Sequence, residues 1–328
     1  MNAAGEARAL WIVAPGRAEL RREVLRQPDA EELLIRALHS GISRGTERLV
    51  LGGRVPESQY AAMRAPLMAG EFPHPVKYGY AAVGVVERGP AERIGQRVFV
   101  LHPHQDRFLA PAAMCVPVPG AVPDARAVLA ANMETALNIL WDAAPLPGER
   151  ATVIGAGVVG LLVARLLARM PGIDLVVVDS DGGKQAIAEA LGLRFRLPDD
   201  APAERELIIH ASASEAGLQL ALRCAATEAR ILEASWFGDR AVSLPLGEAF
   251  HARRLRLIST QVGQVSPAMR GRRTYGERLA LALQLLEDPA LDVLCTVRVP
   301  FAKLPRRLPA LLHGGDAVLC PVVDYGAD

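Results

Sequence analysis

An α/β chain in two parts, a doubly wound parallel sheet preceded by an irregular and mostly β first part, is predicted by three observations. Strand-like and helical runs alternate from residue 150 to about 238. A glycine-rich turn, "GAGVVG" at 155–160, stands between the first of those strands and its helix. Glycine and proline punctuate residues 8 to 120, where the apolar runs are short. Strict alternation makes the sheet parallel, because each helix carries the chain back to start the next strand in the same direction. At 328 residues the chain is long for one hydrophobic core, so two domains are expected.

In chain order, "ELLIRAL" (32–38), "AAVGVVE" (81–87) and "QRVFVL" (96–101) read as strands between turn residues. From Pro123 the texture changes: "DARAVLAANMETALNILWDA" spaces its apolar residues as helices do, and "PLPGE" stops it. "RATVIGAGVVGLLVARLLARMPGIDLVVVDSD" (150–181) is then strand, turn, helix and a second strand ending in acid, a βαβ unit. "KQAIAEALG" and "EAGLQLALRCA" read as further helices, "ELIIHAS" and "ARILEASWFG" as strands. After Phe250 the order breaks into an arginine-rich loop, the helix "TYGERLALALQLLED" and the strand-like "CTVRVPF" and "LCPVVDYG". The expected division is 1–130 for the first part, 131–260 for the parallel-sheet domain and 261–328 for a return segment.

Hydrophobic content of 51% with 22% charge suits a folded soluble protein, and a net charge of +1 offers no global field for nucleic acid or membrane. Cys115, Cys224, Cys295 and Cys320 form no CxxC and no close pair, against a disulfide framework or a cysteine-rich zinc site. The opening "MNAAGEARALWIVAPGR" is unlike a signal peptide, and "VVGLLVARLLARM" is cut by Arg165 and Arg169, too short to span a bilayer. A cytoplasmic, reduced location is expected.

The glycine turn carries the firmest chemistry. Gly155 permits the tight turn, Gly157 lets backbone approach a diphosphate, and Gly160 allows close packing of helix on strand. With Val158 and Val159 they open a helix whose free N–H groups and dipole favour an anion. Asp179, at the tip of the next strand, suits the 2′- and 3′-hydroxyls of an adenosine ribose and repels a 2′-phosphate, which favours NAD over NADP. Lys184 is placed to reach the same ribose or, equally, to be a solvated lysine at a helix start.

A β-rich first part, a Rossmann unit near the middle and a return segment together resemble the medium-chain dehydrogenase/reductase superfamily, whose first part is a GroES-like catalytic domain. "HSGISRGTE" (39–47) is similar to its Gly-Ile-Cys-x-(Ser/Thr)-Asp turn, "KYGYAAVGVVERG" (77–89) to its Gly-His-Glu-x-x-Gly-x-Val stretch, and "IGQRV" (94–98) to its Gly-Asp-Arg-Val. "NMETALNIL" falls where the nicotinamide-facing helix begins. The pairing of "SGISRGTE" with Gly-Tyr most resembles the bacteriochlorophyllide a dehydrogenase subgroup. In zinc members the resemblance implies a cysteine, a histidine and a cysteine or glutamate as metal ligands; the matching positions here are Ser43, Tyr80 and Ala131. A hydroxyl, a phenol and a methyl do not replace thiolate, imidazole and carboxylate on Zn²⁺. The four-cysteine structural zinc lobe is also missing, so neither a catalytic nor a structural zinc is expected. His74, His102 and His104 are the alternative metal donors, the last two able to share one face if "LHPHQDRF" is a strand; polar surface or substrate contact competes with that reading.

Without zinc, hydrogen-bond donors and a weak acid must polarise the carbonyl and move the proton. The resemblance makes Tyr80 the leading proton donor, against the alternative of a tyrosine packed in a cleft wall. Ser43 and Thr46 form its hydroxyl relay, with His102 or His104 as outer proton acceptor. Glu47 replaces the turn's usual acid and is expected to hold the loop through Arg44 or Arg48. Thr135 matches the threonine near the nicotinamide, with Asn132 beside it, and Ser212 and Ser235 end two parallel strands where ligands gather. The implied activity is NAD(H)-dependent interconversion of a secondary alcohol and a ketone or aldehyde. An enoyl or quinone reductase and a non-catalytic nucleotide-binding protein are the alternatives. Residues 251–276 hold six arginines and no acid, read as solvated surface, an anion-recognising rim for a small-molecule substrate, or a nucleic-acid patch, the last disfavoured by the net charge. A homodimer is expected from the resemblance, through an edge strand at "RAVSLPLG" (240–247).

Overall fold

The computed structural model describes residues 3–313 and 318–326. The chain divides into two compact units, Met1–Ala131 with Leu279–Asp328, and Asn132–Arg278.

In the first unit, among the described residues, seven strands form an antiparallel-rich sheet. Its path runs Arg298–Pro300, Val322–Asp324, Glu32–Gly41, Ala82–Arg88, Arg97–Val100 and Val116–Pro117, with Arg107–Pro111 pairing to Glu32–Gly41. Leu33, Ile35, Val86, Val98, Val100 and Phe108 of these strands are buried together as its core. The central strand Glu32–Gly41 ends directly in the turn that carries Ser43 and the helix Arg44–Leu51. The C-terminal strand Val322–Asp324 pairs with that same strand end, Val323 opposite Ser40 and Asp324 opposite His39. A second sheet is built on the hairpin Ala3–Ala14 and Arg17–Arg26. The sequence reading did not resolve this hairpin, because its second strand is rich in arginine and glutamate and only weakly apolar.

The second unit is a six-stranded parallel sheet in the order Phe195–Arg196, Asp174–Val178, Arg150–Ile154, Arg205–His210, Ala225–Glu233 and Arg256–Ser259. This is the doubly wound sheet that the alternation predicts, with the strand order reversing beside Arg150–Ile154. Its helices Val158–Leu167 and Glu215–Cys224 bury leucine and alanine.

One boundary and one strand differ from the sequence reading. The second unit runs to Arg278 rather than to 260. The buried Arg278 guanidinium donates to Glu134 Oε1 (3.0 Å), to Asn138 Oδ1 (2.7 Å) and to the carbonyls of Val262 and Gln264, stitching residues 262–278 to the helix Ala130–Ala143. The stretch expected as an edge strand at "RAVSLPLG" forms none; the edge strand is Arg256–Ser259. Side chains of the helix Glu215–Cys224 take its backbone groups instead, Glu215 receiving the Ser243 amide and Gln219 donating to the Ser243 carbonyl.

Removing one partner of a buried ion pair leaves the other charge uncompensated. Arg278→Ala is therefore expected to destabilise the second unit by about 3 to 5 kcal/mol, read as a lower urea midpoint, with Glu134→Gln milder because the amide still accepts.

Candidate functional site

In the first unit a tight turn brings several of the expected side chains together. Ser43 caps the helix Arg44–Leu51, and Glu47, one turn in, reaches back so that its Oε1 accepts the Ser43 amide at 2.8 Å. The Tyr80 hydroxyl hydrogen-bonds to the side chains of both Ser43 and Thr46. Gly79 places that phenol: its φ of +126° is open to glycine, and a Cβ there would stand 3.0 Å from the His104 ring. Burial, partly offset by the two hydroxyls, pushes Tyr80 up to about 12. The phenol therefore keeps its proton across the physiological range. Tyr78 is an aromatic brace, buried edge-on to Tyr80 with ring centres 6.0 Å apart and packed on Phe72.

Glu47 was expected to hold the loop through Arg44 or Arg48; it holds it through the Ser43 amide, while Arg44 donates to the Val318 carbonyl. The second carboxylate oxygen of Glu47, a residue 3% exposed, lies 3.1 Å from Nε2 of His104. His104 is 1% exposed, and its Nδ1 lies 2.7 Å from Ser40 Oγ, which is 2.9 Å from the Tyr325 hydroxyl. Ser40 and Tyr325 were missed by the sequence reading. Ser40 is the strand residue just ahead of the quoted turn and Tyr325 lies far along the chain, so only strand pairing joins them.

His102 and His104 do not share a face. No strand forms over 101–104, where Pro103 intervenes, and the two rings go to different partners. His102 stacks on Phe108 at 3.8 Å, and its Nδ1 meets the Pro103 carbonyl. Burial pushes His102 down to about 3, so it is neutral and is no proton acceptor for the turn. His74 is half-buried with neither ring nitrogen hydrogen-bonded. The zinc-ligand positions do not suit a metal. Ser43 and Tyr80 bond each other, Ala131 offers a methyl, and among the described residues no group of three or more His, Cys, Asp or Glu side chains is arranged to hold a metal ion.

In the second unit the glycine turn has the shape a dinucleotide needs. Gly155 has φ +111°, and a Cβ on it would come within 2.7 Å of the Ala211–Ser212 backbone; a Cβ on Gly160 would overlap the Gly155 carbonyl. A Cβ on Gly157 would meet nothing within 4 Å, so this glycine borders open space at the N-terminus of Val158–Leu167. Val158 and Val159 are half-buried beside it. Asp179 Oδ2 accepts the Ala156 amide at 2.7 Å and Lys184 Nζ at 3.0 Å, and Oδ1 accepts the Asp181 amide at 2.9 Å. The acid is thus held against the glycine turn, with Lys184 paired to it rather than solvated. These residues fit an NAD-type dinucleotide: Gly155 to Gly160 for the diphosphate, Asp179 for the ribose.

Thr135 is half-buried on Ala130–Ala143. Ser212 and Ser235 belong to a lock that the sequence reading did not see. His210 is opposite Glu233 in the parallel register, with Nδ1 2.6 Å from Glu233 Oε2 and Nε2 2.7 Å from Ser212 Oγ. Ser212 Oγ bonds Ser214, which caps the helix Glu215–Cys224, and Ser235 Oγ accepts the Ala213 amide. The alternation of side chains along neighbouring strands could have flagged His210 and Glu233, but only register makes them partners. The arginines of 251–276 are partly paired: Arg253 with Glu204 and Arg254 with Glu228, while Arg270 turns to the Val265 carbonyl.

The architecture has close counterparts among solved structures. A dehydrogenase of Sinorhizobium meliloti described as putative zinc-binding and bound to NADP superposes with a TM-score of 0.79 at 15% identity, covering 98% of this chain and 100% of that one. An alcohol dehydrogenase of Escherichia coli CFT073 complexed with NADH gives 0.79 at 16%, with the same coverage. L-idonate 5-dehydrogenase of Escherichia coli gives 0.81 at 11%, covering 99% and 100%. The fold is that of the medium-chain dehydrogenases. No protein-family profile and no curated protein matches the sequence. In this medium-chain dehydrogenase fold the first unit is the GroES-like part and the second the Rossmann part. No helix among the described residues is long and apolar enough to cross a membrane.

Two outcomes follow from the site. Gly157→Ala is expected to leave the urea midpoint unchanged and to weaken NADH binding at least tenfold by calorimetry, since the added methyl stands only where the diphosphate would approach, whereas Gly160→Ala destabilises the fold itself. The second concerns His102. A histidine whose folded value lies below its unfolded one contributes stability that is full above about 6.5 and is lost as the pH falls toward about 3. Between about pH 7 and 5 the loss from this residue is roughly 2 kcal/mol, and His102→Gln should flatten that part of a stability-versus-pH curve.

Proposed function

We propose that the protein is a zinc-independent, NAD(H)-dependent oxidoreductase that interconverts a secondary alcohol and a ketone or aldehyde. The observation that carries the reading is the Tyr80 phenol hydrogen-bonded to Ser43 and Thr46, with Tyr80 and Ser43 standing at two of the three positions where zinc-type relatives would place metal ligands. When bound, the nicotinamide supplies or takes the hydride. Tyr80 donates a hydrogen bond to the substrate oxygen and, in reduction, gives its proton to the forming alkoxide, a stronger base than phenolate. Ser43 and Thr46 stabilise the resulting phenolate and pass to it a proton taken up from solvent. Glu47 holds this turn through the Ser43 amide and meets His104 on its other oxygen. The resemblance of "SGISRGTE" and Gly-Tyr to the bacteriochlorophyllide a dehydrogenase subgroup supports the same zinc-free reading. Structural neighbours bind NADP in one case and NADH in another, so the preference rests on Asp179, whose carboxylate favours a free ribose 2′-hydroxyl.

Metal analysis of the purified protein, with NADH and NADPH titrated into the same sample, tests the proposal directly. Substoichiometric zinc and tighter NADH binding are expected; one zinc per chain would overturn the mechanism, and tighter NADPH binding the role of Asp179. On a panel of ketones and secondary alcohols, Tyr80→Phe should lower kcat roughly 10²- to 10⁴-fold with NADH affinity unchanged. Full activity in that variant would return Tyr80 to a packing role, and reduction of activated C=C bonds alone would favour an enoyl or quinone reductase.

A further inference from the structure

The hydrogen bonds around His104 have a single consistent direction. Tyr325 stands at the far end of this run of hydrogen bonds. Its own proton then has one acceptor among the described contacts, Ser40 Oγ at 2.9 Å. Ser40 Oγ, taking that proton, must direct its own to Nδ1 of His104 at 2.7 Å. His104 Nδ1 is therefore a lone pair and Nε2 carries the hydrogen, which faces Glu47 Oε2 at 3.1 Å. Glu47 closes the chain as an acceptor at both oxygens, since Oε1 already receives the Ser43 amide. The reversed order fails at Glu47, since it would turn the Nε2 lone pair of His104 toward a carboxylate oxygen that can only accept. Burial raises Tyr325 above the ordinary tyrosine range, which keeps it a donor.

The geometry points to Ser40 and Tyr325 as positioning residues that fix His104 as the Nε2–H tautomer against the Glu47 carboxylate. This rests on the proposed function and deepens it, because Glu47, held by His104 on one oxygen, fixes through the Ser43 amide on the other the turn that carries the Ser43 and Thr46 hydroxyls. Neither residue touches substrate; both act through the imidazole.

Long-range ¹H–¹⁵N correlation spectra of the full-length, ¹⁵N-labelled protein at neutral pH test it, with the His104 signals assigned by their loss in His104→Gln. A pyrrole-type Nε2 and a pyridine-type Nδ1 are expected. Tyr325→Phe keeps the ring on Phe301, at 4.5 Å between centres, and removes only the terminal donor. It should shift the Nδ1 signal or populate the second tautomer, and Ser40→Ala should do so more strongly. A protonated Nδ1, a doubly protonated ring, or His104 signals unmoved in Tyr325→Phe would each overturn the inference; a Ser40→Ala chain that fails to fold leaves the decision with Tyr325→Phe. The two readings fail separately. The expected tautomer with a fully active Tyr80→Phe refutes the role of Tyr80 alone, and the opposite tautomer with an inactive Tyr80→Phe refutes this inference alone.

Discussion

The first unit is organised around one buried carboxylate. Glu47 is 3% exposed, and a buried acid without partners would cost several kcal/mol. It is satisfied by the Ser43 amide on one oxygen and by His104 on the other. The first bond fixes the turn that presents Ser43 and Thr46 to Tyr80. The second requires a neighbour for the far side of the imidazole, and Ser40 and Tyr325 provide it. Hydroxyl donors, imidazole and carboxylate thus form one hydrogen-bonded body in which moving any member leaves another unsatisfied.

The second unit is governed by a different constraint, the close approach of backbone at the carboxyl ends of parallel strands. Gly155 and Gly160 exist there because a methyl at either position would strike main chain, while Gly157 lacks a side chain for the sake of whatever fills the open space beside it. Asp179 joins the second strand to the turn through the Ala156 amide, and His210 with Glu233 joins the next two strands through Ser212 and Ser214. The carboxyl end of the sheet is consequently cross-linked by side-chain hydrogen bonds around the glycine turn.

Much of this was legible in advance because it depends on local pattern. Alternating strands and helices specify a parallel sheet, and GxGxxG between a strand and a helix specifies the turn. The residue types at Ser43, Tyr80 and Ala131 could be set one by one against a family motif. The errors lie where a residue's partner is distant in sequence. Glu47 was assigned to neighbouring arginines and found His104 instead; "RAVSLPLG" looked like an edge strand until the side chains of Glu215 and Gln219 took its backbone groups.

The sequence by itself determined the two-part architecture and the glycine turn with its acid at the carboxyl end of a parallel sheet, because each is a matter of residue type at short, fixed spacing. Tertiary structure alone decided that Ser40, Glu47, His104 and Tyr325 form a single network, that His102 stands apart from it against Phe108, and that His210 meets Glu233. Strand register sets those contacts, and register is a property of the whole packed sheet rather than of any segment within it.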